Sequence, residues 1–199
     1  QPVLNAACAA VTTLEDDSRF NAGLGSHQRS NGLVQMDASC IDSSGRFGAV
    51  AALEGFRNPI QVARIVSQSE YKFLAGTGAA EFAGNQECQK VSDDEIGNTG
   101  KDFSTTDTVG CVIRDGDNFA AALSTGGIKD AIAGRVGDVP LIGCGLYAGS
   151  QGAVAATGEG EAILKQLTAF RAYQLIEKGM DPKSIVSDVI SWFNKPTAF

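Results

Sequence analysis

Asp107-Thr108-Val109-Gly110-Cys111-Val112-Ile113-Arg114, then Asp115-Gly116-Asp117, then Asn118-Phe119-Ala120-Ala121-Ala122-Leu123-Ser124-Thr125 is the run on which the reading of this chain turns. Two stretches rich in β-branched and apolar residues flank an acidic turn with a central glycine, which spells a hairpin. The preceding residues, 84 to 107, are dominated by Gly, Asn, Asp, Ser and Thr, so a mobile surface linker is expected there. Thr108 is therefore a threonine at the junction of linker and strand. On spacing alone it reads as a β-branched strand residue. A second reading needs cleavage of the Asp107–Thr108 bond. The Thr108 hydroxyl would then lie beside its own α-amine, whose ordinary pKa of about 7.7 to 8.0 suits a base. One residue then supplies both nucleophile and base, with no call on histidine.

Working outward, residues 2 to 14 read as a helix, with Leu4, Ala7, Cys8, Val11 and Leu14 at helical spacing. Glu15 to Gly25 reads as a loop, Leu33 to Ile41 as a strand, and Phe47 to Leu53 as a buried strand. Asn58-Pro59 opens a helix carrying Val62, Ala63 and Val66, with Asn58 as its cap. A short strand is expected at 71 to 75 and a helix around Ala79 to Ala83. Beyond the hairpin, Gly126 to Gly145 reads as glycine-punctuated loop and 153 to 157 as a strand. One helix is expected over Glu161 to Lys178, with Leu164, Leu167, Phe170, Tyr173 and Ile176 on one side and Gly179 as its stop. A last helix follows Asp181-Pro182 and bears Ile185, Val189 and Phe193. Strands in the middle with helices at both ends argue for a layered α/β or α+β domain.

At 199 residues the chain suffices for one domain with a sizeable core. Its net charge is -7, and no basic cluster is present, which argues against nucleic acid. No apolar stretch is long enough to span a membrane, and no leader is visible behind Gln1, so a cytoplasmic location is expected. Five cysteines, with no C-x-x-C pair, point to buried free thiols rather than a disulfide framework or a zinc site. The single histidine, His27, excludes any mechanism that needs two imidazoles. Its polar neighbours, Gln28-Arg29-Ser30-Asn31-Gly32, make it a surface-loop residue.

Several short motifs occur in a fixed order: Phe20-Asn21-Ala22-Gly23-Leu24-Gly25-Ser26, Met36-Asp37-Ala38-Ser39, Phe47-Gly48-Ala49-Val50, Asp107-Thr108-Val109-Gly110, Ser124-Thr125-Gly126-Gly127, Gly134-Arg135-Val136-Gly137-Asp138 and Thr157-Gly158-Glu159-Gly160-Glu161. Each is weak alone. In this order, over about Val3 to Phe193, they resemble the asparaginase type 2 family, which comprises isoaspartyl peptidase/L-asparaginases, glycosylasparaginases and taspase. The resemblance implies an N-terminal-nucleophile hydrolase of α+β class. Its fold would be a four-layer αββα sandwich, here expected to be incomplete at both chain ends. It implies a single domain over 1–199 that cleaves itself between Asp107 and Thr108 into parts 1–107 and 108–199.

By the same resemblance Thr108 is the nucleophile and Thr125 the threonine whose hydroxyl tunes it. Thr157 and the Gly158 N–H form an oxyanion hole, whose donors are worth roughly 3 to 4 kcal/mol each elsewhere. Arg135 and Asp138 grip the substrate's α-carboxylate and α-amine, with Gly160 beside them. Asn21 stands next to the self-cleavage site. No cofactor is required. A structural sodium is implied on the main-chain carbonyls of Leu14, Glu15, Asp17, Phe20, Ala22 and Leu24, where oxygen-only ligation suits a hard cation. A homodimer of cleaved units is implied too. From the residues alone, Thr125 is equally a strand-end turn residue, Arg135 and Asp138 an ion pair across a turn, Thr157-Gly158 a helix entry, Asn21 a loop residue, and Glu15-Asp16-Asp17 a solvated acidic run.

The chain departs from the family pattern in lacking its His-Gly-Gly-Ala-Gly-like opening turn. Asp107 is the residue expected of glycosylasparaginase and taspase, where isoaspartyl peptidases more often have glycine. Leu141-Ile142-Gly143-Cys144-Gly145 and the Thr157 motif lean toward the asparaginases. The ranking is therefore isoaspartyl peptidase/L-asparaginase, glycosylasparaginase, then taspase-like endopeptidase, with an inactive binding module as the non-enzymatic alternative.

Overall fold

A computed structural model describes residues 2–92, 94–96 and 108–193. The helices are α1 (Pro2–Glu15), α2 (Pro59–Gln68), α3 (Gly76–Asn85), α4 (Gly160–Gln166), α5 (Thr168–Glu177) and α6 (Pro182–Phe193). The strands are β1 (Met36–Asp42), β2 (Phe47–Leu53), β3 (Phe73–Ala75), β4 (Val109–Asp115), β5 (Asn118–Thr125), β6 (Leu146–Gly149) and β7 (Gly152–Ala155). Five strands form one sheet in the order β3-β2-β1-β5-β4, and β6 and β7 form a separate antiparallel pair. All neighbours in the large sheet are antiparallel except β2 and β3.

The layering follows from which side chains each strand turns to each side. Along β1 and β5, Ala38, Cys40, Ala120 and Ala122 point one way and join Val3, Leu4, Ala7, Cys8 and Val11 of α1 with Ile60, Val62 and Val66 of α2. Ile41, Ala121 and Leu123 point the other way and meet Leu146, Ala148 and Val139. A sheet buried on both faces is written as near-continuous apolar sequence rather than alternation. The small residues of Phe47–Leu53 and Ala120–Leu123 fit that pattern. The β6–β7 pair covers the second face, α5 covers β6–β7 from outside, and α6 lies on α5. The result is the four-layer αββα arrangement expected from sequence.

Local departures have identifiable causes. The helix expected over 161–178 is two helices, because Leu167 adopts a left-handed conformation (φ 50°, ψ 46°) between α4 and α5. Leu167 is 51% exposed, so the apolar stripe drawn through it does not exist as one face. The strand expected from Leu33 begins at Met36, since Val34 instead packs with Met36, Val91 and Ile96 in a third cluster. Val91 and Ile96 thus bury part of the segment read as a surface linker; residue 93 and residues 97–107 lie outside the described residues. Strand β6 was not anticipated. Asn58 does not cap α2: its side chain donates to Asp16 Oδ1 at 3.1 Å, and Glu15 Oε1 accepts the Ile60 N–H at 3.0 Å instead.

One irregularity bears on the site. Met36 pairs with Leu53 and Ala38 with Val50, so Ala51 and Ala52 together oppose Asp37 in a β-bulge. Ala52 has positive φ (47°), and its N–H donates to Asp37 Oδ1 at 2.8 Å. No described helix is long and apolar enough to cross a membrane. The five cysteines are all free; Cys8, Cys40 and Cys144 are buried and Cys88 and Cys111 are half-buried.

Candidate active site

Thr108 immediately precedes β4, and its antiparallel partner β5 ends at Thr125. The hairpin therefore brings the two threonines together: the Thr108 hydroxyl lies 2.9 Å from the Thr125 hydroxyl, donating to it. Thr125 Oγ1 also accepts the Gly127 N–H at 3.0 Å, which fixes where that oxygen sits. Asn21 fastens the same turn. Its Nδ2 donates to the Gly127 carbonyl at 2.7 Å, its carbonyl accepts the Gly126 N–H at 2.9 Å, and its Oδ1 accepts the His27 N–H at 3.1 Å.

These residues line a cavity of about 240 Å³. Arg135, Asp138, Thr157, Gly158 and Gly160 line it as well, so the catalytic and substrate-binding residues expected from sequence within the described part meet at one space, while the six expected sodium-loop residues lie outside it. Asp107 lies outside the described residues. Sequence reasoning missed His27, Ile128 and Lys129, which also line the cavity. His27 is half-buried rather than a surface-loop residue. Desolvation lowers its pKa, with Lys129 adding to the effect and Asp130 opposing it. The signal available in sequence was its place directly after the Asn21–Ser26 turn.

Arg135 is the cationic end of the cavity. Its Nε and Nη2 grip Glu161 in a two-pronged fork, at 2.9 and 2.8 Å. The ion pair thus runs to the first turn of α4 and not across the turn to Asp138. Gly137 and Gly160 flank the guanidinium so closely that a Cβ on Gly160 would come within 2.8 Å of Nη2. The fork leaves Nη1 free of Glu161. Asp138 is buried, and its Oδ2 makes no hydrogen bond among the described residues. Desolvation raises its carboxyl to about 6, with Arg135 opposing and Asp37 and Glu161 reinforcing. A carboxylate beside an arginine on one cavity wall can hold an ammonium and a carboxylate on one small molecule. Beneath them lies a buried guanidinium that sequence reasoning also missed. Arg29 is 1% exposed, donates to the Gln35 carbonyl at 2.8 Å, and faces the Asp37 carboxylate.

The loop after α1 turns carbonyls inward. A Cβ on Gly23 would run into the Glu15 carbonyl, and one on Gly25 into the Phe20 carbonyl. The Leu14, Asp17 and Ala22 carbonyls each accept one N–H, from Asp17, Phe20 and Gly25, which leaves each a second lone pair. Neutral main-chain oxygens are the donor type that a hard cation takes.

Comparisons with known proteins bear on the family of the chain. The sequence model of the family described as Asparaginase matches residues 1–101 and 94–197. The chain is 40% identical over 196 residues to the isoaspartyl peptidase/L-asparaginase of Homo sapiens, covering 86% of this chain and 64% of that protein. It is 33% identical over 226 residues to the plant-type L-asparaginase of Pyrococcus horikoshii, covering 98% of this chain and 74% of the relative. The probable isoaspartyl peptidase/L-asparaginase 2 of Arabidopsis thaliana is 34% identical over 225 residues, covering 90% and 69%. The chain spans less than two thirds of the human relative's length.

Proposed function

The chain belongs to the asparaginase type 2 family, and from that premise we propose that it is a self-processing threonine amidohydrolase acting on L-asparagine and β-aspartyl peptides. The observation that carries this is the Thr108–Thr125 hydroxyl contact at 2.9 Å inside the cavity that also holds Arg135 and Asp138.

Processing comes first. The Thr108 hydroxyl adds to the Asp107 carbonyl carbon, the peptide nitrogen leaves as the Thr108 α-amine, and water opens the resulting ester. The parts are 1–107 and 108–199, with Asn21 holding the Gly126–Gly127 turn beside the reacting bond. In hydrolysis the new α-amine takes the hydroxyl proton as Thr108 attacks the substrate's β-carbonyl carbon. The Thr157 hydroxyl and the Gly158 N–H receive the developing negative charge. The protonated amine hands its proton to the leaving nitrogen, which departs as ammonia or a peptide amine. Water then releases L-aspartate from the ester. Arg135 Nη1 holds the α-carboxylate, Asp138 holds the α-ammonium, and Gly160 leaves room for both. Sodium on the 14–24 loop would stiffen the segment that presents Asn21. The processed units are assigned to a homodimer.

The experiment is mass spectrometry with activity on the same sample. Wild type should split at 107/108 and release ammonia from L-asparagine. Thr108→Ala should stay intact and inactive, and Thr108→Ser should keep part of both activities. Activity surviving in Thr108→Ala protein would sink the proposal. Cleavage of glycosylated asparagine with none of β-aspartyl dipeptides would shift it to glycosylasparaginase, the reading that Asp107 favours. Light scattering at low micromolar concentration should give twice the chain mass.

A further inference from the structure

Asp37 and Ser39 alternate along the start of β1, where a strand's period of two sets them on one side of the sheet, and Gln35 directly precedes the strand. That side meets residues 134–139, the loop that carries Arg135 and Asp138. Gln35 Oε1 accepts the Gly134 N–H at 2.6 Å, at the loop's start. The Ser39 hydroxyl donates to the Val139 carbonyl, at its end. Asp37 stands between the two. The Gly137 N–H favours its charged form from the loop side, short of full hydrogen-bond geometry, and the charge of Arg135 acts in the same sense.

The line is itself braced. Gln35 Nε2 donates to Glu54 Oε1 at 2.7 Å, and Arg29 Nη2 holds the Gln35 carbonyl. Asp37 is wholly buried, opposes Thr125 in the β1–β5 ladder, and takes the Ala52 N–H that the bulge turns toward it. Packing alone does not call for any of this. A buried carboxylate is costly, and the neighbours of Asp37 along the strand, Met36 and Ala38, are buried and apolar. Bulges beside active sites re-aim a side chain.

We propose that Gln35, Asp37 and Ser39 are positioning residues, a polar rail along β1 and the residue before it that fixes loop 134–139 so that Arg135 and Asp138 stand in register with the Thr108 hydroxyl. The substrate in this inference is that of the amidohydrolase reading; the pinning of the loop stands on the contacts themselves. Because Asp37 lies across from Thr125, the rail references clamp and nucleophile to the same two strands.

The test compares Asp37→Asn and Ser39→Ala with wild type by hydrogen exchange of peptides over 134–139 and by kinetics on L-asparagine. Both variants should exchange faster in that loop while β5 and α1 keep their protection. Their KM should rise about tenfold, the order of one charge-assisted hydrogen bond, with kcat changed far less and self-cleavage retained. Should Asp37→Asn fail to fold, Ser39→Ala, which removes one hydroxyl, carries the test alone. Unchanged loop exchange and KM would overturn the rail, and so would exchange that rises equally in β5. A wild type that cleaves no β-aspartyl substrate, with loop exchange still raised selectively in the variants, would refute the amidohydrolase reading and leave the rail standing.

Discussion

The Thr125 oxygen accepts two hydrogens at once, so the Thr108 hydroxyl finds a partner already held in place. Asp138 faces the harder task of staying charged while buried. Its carboxyl rises to about 6, chiefly by desolvation, and Asp37 rises to about 6 for the same first cause. The charge of Asp37 adds to the rise at Asp138. Only the ionised form holds an ammonium, so KM for L-asparagine should climb as pH falls through about 6. Folding responds with the opposite sign. Between the ordinary carboxylate pKa and about 6 the folded chain keeps protons that the unfolded chain has released. That contribution to stability is therefore full below the unfolded pKa and lost as pH rises through 6. Asp138→Asn should raise KM roughly 10- to 100-fold at neutral pH, the loss of a hydrogen bond to a charge, and should abolish the rise at low pH. KM measured from pH 5 to 8 decides the matter; a curve like that of wild type would remove Asp138 from the clamp.

Among the elements, the break at Leu167 invites a direct trial. A left-handed leucine carries a steric penalty of about 1–2 kcal/mol, and this one is half exposed, so little packing holds it there. Leu167→Gly should stabilise the chain by about 0.5–1 kcal/mol in urea unfolding, after glycine's own entropic cost. A loss of stability would mean that the Leu167 side chain matters more than its strain. The same residue shows why part of the fold was hidden in the sequence. Apolar residues run on through 164, 167 and 170 with no Gly or Pro to mark a stop, so one helix was the natural reading. Strand β6 hid for the converse reason, because glycines on either side of Leu146–Ala148 read as loop. The hairpin, α1 and the Phe47–Leu53 strand were legible because local pattern and burial agree there. At the site, the ordered motifs brought Thr108, Thr125, Arg135, Asp138 and Thr157 to one cavity. His27, Arg29 and the Arg135–Glu161 fork were not legible, since each depends on segments that only the tertiary fold brings together.

Over the whole molecule, the large sheet divides at a telling place. β3, β2 and β1 come from before Asp107, and β5 and β4 from after it. The seam is the β1–β5 ladder, from Asp37 opposite Thr125 to Asp42 opposite Ala120, and α1 lies over β4 and β5 as well. Self-cleavage would therefore leave two pieces that share the buried clusters on both faces of the large sheet. The uncut chain finds this arrangement in a single-molecule search. Once cut and unfolded, the pieces must meet again. Refolding of processed protein from denaturant should therefore slow on dilution, while that of uncut Thr108→Ala protein should not. Equal rates at all concentrations would show that the pieces never separate. In a cut chain the working lifetime would follow how rarely the pieces part, because each reunion is a two-body event. Maturation would turn a one-body folding step into a two-body one.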